Sequence, residues 1–368
     1  MKVCCRLISV LSVLVLFATT AWAGAGDAAT EIDQLKRRVN ALEAQQNTTD
    51  QTESSLSDSL RQINQYVSLN GLFEVEASYA NEDGGDDESD ITVATAQLGL
   101  EATLNDYLGG HLILLYEETE GEEDDIDVDE AVIHLTSSTT LFDQTPSLHL
   151  GRMYLPFGAF NSSMVSDPLT LDLGETQDSA ALVALEGEQW NLHLAVFNGD
   201  ADSDDDNHID SFVAAVDVAL CEQAHLGASY ISDLAESDIE LVQDDSLYSD
   251  DVAAASIHLS LAHGDFGFAA EYLTALDDFD AVVIEAGEDL TGKRPQAWFA
   301  ELTWAPCEKS LLATRYEEAD DFQDDVTRYG ATASYLLHEY VALSLEYQRS
   351  EANEEDSDLV TAQMALAF

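Results

Sequence analysis

The sequence predicts an all-β transmembrane barrel of about 16 antiparallel strands, preceded by a short N-terminal α-helical coiled-coil segment. Three observations predict it. First, the chain ends on strict alternation: Val360, Ala362, Met364, Leu366 and Phe368 interleave with Thr361, Gln363, Ala365 and Ala367, and the last residue is aromatic. Period-2 alternation sends one set of side chains to each face, which suits a strand between lipid and a lumen. Similar stripes recur back to about residue 66. Second, the chain opens as an exported protein, with Lys2 and Arg6 flanking an apolar run over 7–17 and Ala21-Trp22-Ala23 as a small-x-small cleavage site. Third, no later stretch reaches the roughly 18 apolar residues of a membrane helix. An exported chain can still cross a membrane when its strands close on themselves, because closure satisfies every backbone hydrogen bond.

The elements follow in order. Residues 1–23 are the signal peptide. Residues 24–65 carry Ile32, Leu35, Val39 and Leu42 at heptad spacing, then Leu56, Leu60, Ile63 and Val67 after a polar interruption. Two heptads are marginal for a lone helix, so this stripe predicts a periplasmic coiled coil joining a homotrimer, or a helix laid against the rim of its own barrel. Residues 66–368 form the barrel. Its strands are predicted at 67–79, 94–104, 112–116, 131–135, 148–154, 180–185, 190–196 and 212–220, then at 226–232, 253–261, 266–274, 297–304, 312–316, 327–335, 341–347 and 359–368. Short turns such as Asn105-Asp106, Glu186-Gly187-Glu188 and His263-Gly264-Asp265 alternate with long acidic connections, the asymmetry of periplasmic turns and outer loops. Tyr79, Tyr116, Tyr230, Tyr272, Tyr316 and Tyr347 fall at outer strand ends, and Trp190 and Trp304 at inner ones, as two aromatic girdles would.

Charge bounds the partners. With 13 basic and 73 acidic side chains the chain carries −60, which excludes nucleic acid. Acidic runs at 81–88, 117–125, 200–206 and 354–358 separate the strands and read as solvated outer loops. They suit a salt-rich habitat or a surface of divalent-bridged carboxylates, or else an attractive field for cations at a pore mouth. Cys221 and Cys307 fall in separate turns and are expected as free thiols. Asp200-Ala201-Asp202-Ser203-Asp204 opens like a calcium loop, but Asp205 stands where the turn glycine belongs and Ser211 where the closing Glu belongs. The nine histidines are scattered singly without ligand spacing, and His111, His134, His193 and His258 are expected on the lumen wall. No catalytic signature, metal site or cofactor motif is present in the sequence, so the chain is not expected to be an enzyme.

One connection differs. Residues 155–177 are apolar and proline-bearing, with Phe157, Phe160, Leu169, Leu171 and Leu173 in need of burial and Pro156 and Gly158 marking a sharp exit from the strand. Folding into the barrel as a constriction buries them; packing at a protomer interface is the other solution. Arg152 at its base and Asp167, Asp172 and Glu175 at its polar edge would then line the pore. Leu148 and Leu150 share the parity of Arg152, so an inward Arg152 requires a bulge near Gly151. Inward, it would hold a carboxylate or carbonyl of a chelate, or pair with a wall carboxylate. By alternation Glu74, Glu76, Glu101, Glu130, Asp217, Glu271, Glu301, Glu317 and Glu346 face the lumen, against Arg315 and Arg328.

Residues 151–158, GRMYLPFG, and 166–176, SDPLTLDLGET, resemble the corresponding stretch of the LbtU-type siderophore porins. Val196 to Asp200 and Ser229 to Asp233 are similar to segments of the same family, and the Gly-Arg…Pro-Phe-Gly element is more distantly similar to phosphate-selective porins. The resemblance covers most of the mature chain. It implies a 16-stranded outer-membrane porin for passive uptake of a ferric siderophore, and it assigns no binding residues. The acidity departs from what a phosphate-selective pore needs. The expected function is thus passive, substrate-specific uptake of a siderophore or small cationic solute across outer-membrane lipid. A general cation-selective diffusion porin is the alternative, and an envelope structural protein with a coiled-coil stalk the alternative of another class.

Overall fold

Alternation closes into a wall. The computed structural model describes residues 66–368 apart from 83–84, 86, 119–124, 200, 202–207, 240, 243–247, 249–250, 280–290, 323–324 and 353–355. The strands are β1 (Val67–Glu82), β2 (Glu88–Asn105), β3 (Leu108–Tyr116), β4 (Asp127–Thr136), β5 (Thr145–Tyr154), β6 (Gln177–Glu186), β7 (Trp190–Phe197) and β8 (Ser211–Cys221). They continue as β9 (Ala224–Ile231), β10 (Ala254–His263), β11 (Phe266–Ala275), β12 (Gln296–Cys307), β13 (Ser310–Asp320), β14 (Val326–His338), β15 (Val341–Glu351) and β16 (Asp356–Ala367). Each pairs antiparallel with its sequence neighbours, and β1 pairs β16 to close a barrel of 16 strands. No helix among the described residues is long and apolar enough to cross a membrane.

The closing seam is specific. Leu72 faces Ala367 and Phe73 faces Leu366. Beyond them, Gly71 and Phe368 exchange both backbone hydrogen bonds at 3.0 Å. The terminal ring lies over Gly71, where a Cβ would stand 2.5 Å from it, so a larger residue there would have to displace the ring. Outward positions carry an exposed apolar surface, with Phe73, Leu98, Ile133, Val183, Ile257 and Leu345 among its residues. Lipid covers such a band, whereas water would not. At the outer edge the hydroxyls of Tyr79, Tyr272, Tyr316 and Tyr347 donate to Asp87 (2.8 Å), Gln296 (2.6 Å), Glu318 (2.5 Å) and Asp358 (2.6 Å). An aromatic body in lipid with its polar tip on a rim acceptor is what an interfacial girdle requires.

The fold class needs one correction. Among the described residues it is a 16-stranded barrel with no coiled-coil helix. Helix among the described residues is confined to α1 (Leu169–Gly174) and a single 3-10 turn at Leu234–Glu236, both within loops, and the rest is almost entirely strand. The expected coiled coil over 24–65 and the signal peptide over 1–23 lie outside the described residues, as does most of the calcium-like stretch. Cys221 and Cys307 are free, exposed thiols in separate turns.

Much of the outer half of the lumen is filled. Inward residues of consecutive strands, among them Met153, Leu182, Val213, Ile231, Leu273 and Ala297, are buried against Phe157, Leu169, Leu173, Leu234 and Phe279 from the loops. The core of this barrel therefore sits inside its mouth and is built by loops folded onto the wall.

Candidate functional site: a constriction inside the barrel

The long loop at 155–176 leaves β5 and crosses the lumen. Leu155 N–H donates to Thr176 O at 2.8 Å, pinning the two ends together. Gly158 takes φ of +79°, and the Phe160 ring stands 2.2 Å from where its Cβ would be, so conformation and space both demand glycine. Phe157, Leu169 and Leu173 are at most 1% exposed, which is the burial that the loop's composition asked for.

Backbone hydrogen bonds hold the loop to the wall. Glu271 of β11 accepts from the N–H groups of Ala159 and Phe160, both at 2.8 Å, and from Ser256 Oγ at 2.6 Å. Phe160 has φ of +51°, a left-handed turn that aims two successive amides at one carboxylate. Glu301 of β12 accepts from Ser162 Oγ (2.7 Å) and Ser163 N–H (2.9 Å). Glu346 of β15 takes Val165 N–H (2.6 Å), Ser166 N–H (3.2 Å) and the Thr332 hydroxyl. Glu317 of β13 takes Leu169 N–H at 2.9 Å and pairs with Arg315 at 3.1 Å. Arg315 in turn donates to Ser162 Oγ, Ser166 O, Ser166 Oγ and Asp167 O at 2.7 to 2.9 Å. A loop whose amides lack secondary-structure partners would leave them unsatisfied in the barrel, and charged acceptors on the wall remove that cost.

The inward glutamates thus divide into two groups. Glu271, Glu301, Glu317 and Glu346 are 1 to 3% exposed beneath the loop, and Arg315 is 2% exposed with them. Glu74 and Glu76 on β1, Glu101 on β2 and Glu130 on β4 remain on the inner wall outside those anchors. Glu76 accepts from Gln363 at 2.9 Å, and Asp217 on β8 bonds His258 at 2.9 Å. Alternation reveals which face a side chain takes, but not whether a distant loop will cover it.

The open edge of the loop is acidic. Asp167 is exposed at this edge, within the field of Glu74 and Glu76 on β1. The surrounding protein displaces water and pushes its carboxyl up, with Asp172 adding to the rise and Arg315 opposing it. Asp172 on α1 is also raised by burial, against its ion pair with Arg328 at 3.2 Å. Glu175 is pushed up to about 7, first by burial and then by the charges of Asp238, Asp167, Asp129 and Glu117. Arg315 and Arg328 are both already engaged by the loop, so the passage presents carboxylates without an opposing arginine face.

Arg152 is not at this edge. Pairing runs without a register shift from Ala131↔Arg152 to Leu135↔Leu148 and on through β6, so no bulge re-aims it. It shares the outward stripe of Leu148 and Leu150, and its Nε donates to Gln177 Oε1 at 2.8 Å near the outer rim. Phe157 and Phe160 serve as packing beneath the loop rather than as pore lining.

The wall also carries a cluster that sequence spacing does not announce. His111, His134 and His149 sit at inward positions on β3, β4 and β5. Register brings them side by side: His111 Nδ1 is 2.7 Å from His134 Nε2, and His134 Nδ1 is 2.9 Å from His149 Nδ1. The line ends on Glu130 (2.6 Å from His111 Nε2) and on Ser147 Oγ (2.9 Å from His149 Nε2). Only the stagger between strands, which the sequence does not state, could have located it.

No family model matches the chain. Among curated proteins it is 25% identical over 250 residues to a UPF0422 protein of Coxiella burnetii, covering 65% of this chain and 53% of that one. It is 26% identical over 141 residues to a UPF0422 protein of Legionella pneumophila, covering 36% of this chain and 26% of that one. The chain therefore spans about half the length of the former and a quarter of the latter. In fold it is similar to the outer-membrane channel DcaP of Acinetobacter baumannii, with TM-score 0.61, 14% identity and coverage of 82% of this chain and 97% of that one. OmpF of Salmonella typhi, in complex with daunomycin, has the same TM-score, identity and coverage. With its exposed apolar band and closed 16-stranded wall, the chain is an outer-membrane β-barrel, of the kind Gram-negative bacteria build, and its fold is similar to that of these channels.

Proposed function

We propose that the protein is a passive, cation-selective outer-membrane channel whose selectivity is set at the edge of the 155–176 loop. One observation carries this reading. Asp167 stands in the field of Glu74 and Glu76, and Glu175 in that of Asp167, Asp129 and Glu117, while Arg315 is consumed by the loop backbone and Arg328 by its ion pair with Asp172. A confined passage with low-dielectric walls focuses that field and raises the local concentration of cations. Charge is reported directly by liposome swelling with solutes of matched size. Glucosamine should enter faster than glucose, and glucuronate slower; equal rates for the three would overturn the reading.

A second reading, uptake of a siderophore, is favoured by a different observation. The stretch 166–176 that resembles siderophore porins is the stretch that builds the constriction: Ser166 receives Arg315, Asp167 and Glu175 face the passage, and α1 lies between them. A dedicated chelate would engage these groups and obstruct ions as it passes. Single-channel current should then fall saturably with a ferric chelate, while a general pore would pass it without concentration-dependent block.

A further inference from the structure

The histidine line on β3 to β5 lies on the wall away from the loop's anchoring carboxylates. One set of tautomers satisfies it completely. His111 Nε2–H donates to Glu130, His134 Nε2–H to His111 Nδ1, His149 Nδ1–H to His134 Nδ1, and Ser147 O–H to His149 Nε2. We propose that the step between His134 and His149 is an exchangeable station for borderline divalent metal ions, Zn2+, Ni2+ or Cu2+, on the channel wall.

Four features support the assignment. The Nδ1 atoms of His134 and His149 face each other at 2.9 Å. An ion about 2.1 Å from each of two imidazole nitrogens holds them roughly 3.0 to 3.4 Å apart, so a small opening of the rings admits it. Imidazole nitrogens suit Zn2+, Ni2+ and Cu2+, whereas the carboxylates of the constriction suit harder ions. Both ligands are oriented from behind: His134 donates through His111 to Glu130, and His149 is fixed by Ser147, the relay that positions metal-bound histidines and raises their basicity. A recess of about 250 Å³ opens beside the pair, with Glu186 and His193 on its lining, and leaves room for metal-bound water.

Protons balance. When the ion takes the Nδ1 lone pairs, His149 moves its proton from Nδ1 to Nε2 and donates it to Ser147 Oγ. No proton leaves the chain, and each ring nitrogen keeps a partner. Among the described residues no three His, Cys, Asp or Glu side chains converge on one metal position. The ion therefore keeps water in its remaining positions and binds loosely, as a site on a conduction path must.

Electron paramagnetic resonance of Cu2+ added at one equivalent to the full chain folded in detergent tests the proposal. The wild type should show nitrogen superhyperfine splitting from equatorial imidazoles, which excess Zn2+ removes. The splitting should drop to one nitrogen in His149→Gln, vanish in the double variant His134→Gln with His149→Gln, and persist in His263→Gln. A wild-type spectrum of oxygen ligands alone would overturn the proposal however the variants fold. So would nitrogen splitting that survives in the double variant.

Discussion

Glu271 accepts from two loop amides and one wall hydroxyl while almost fully buried, and each of its oxygens is used. Changing Glu271→Gln keeps the shape but turns one acceptor into a donor facing another donor. Leaving a buried amide unsatisfied costs about 1–3 kcal/mol, so the urea midpoint of the folded barrel should fall while the pore stays cation-selective. The carboxylates at the passage behave differently. Glu175 titrates near 7 and Asp238 near 6, both raised by burial, with Asp167 and Asp172 raised in the same direction. Acidifying from pH 8 to 5 protonates Glu175 and Asp238 and weakens the field, so cation preference should decline over that window. The same shift has a consequence for stability. A carboxyl raised in the folded state adds stability below its ordinary value of 4.5, and that stability is lost as pH rises through about 7. The urea midpoint should therefore be higher at pH 5 than at pH 8, and Glu175→Gln should narrow the difference.

At the scale of the element, the 155–176 loop is a belt fastened by Arg315 and four glutamates. Arg315→Ala removes its donations to Ser162, Ser166 and Asp167 and leaves Glu317 buried without its ion pair. Breaking a buried pair from one side costs about 3–5 kcal/mol, and the loop should detach before the barrel unfolds. Larger single-channel conductance with an intact barrel by circular dichroism is the expected outcome. Part of this element was legible in the sequence. Phe157, Leu169 and Leu173 require burial in a position where the lumen is available, and Gly158 permits the turn. The fasteners were not legible, because Glu301 and Ser163 lie 138 residues apart and nothing local links them. Arg152 was misplaced for a related reason: an inward position needed a bulge at Gly151, and the ladder there runs unbroken.

For the whole molecule, the barrel was the most legible feature. Alternation is a local property, so all 16 strands could be counted from the stripes. Inner and outer faces followed from parity. Stagger between strands did not, which is why His111, His134 and His149 read as scattered residues and emerge as a line only in the folded wall. Net charge of −60 likewise did not reveal where the effective charges lie. Four of the inward glutamates are buried beneath the loop, and the field we propose for the passage rests on Asp167 at the loop edge with Glu74 and Glu76 of β1. Zero-current potential across a planar bilayer in a KCl gradient at pH 8 tests this account most directly. A single channel should develop a potential of the sign set by K+ crossing in preference to Cl−, and the potential should shrink toward zero in the triple variant Asp167→Asn, Asp172→Asn and Glu175→Gln. A potential of the sign set by Cl−, or one unchanged by the triple variant, would contradict it.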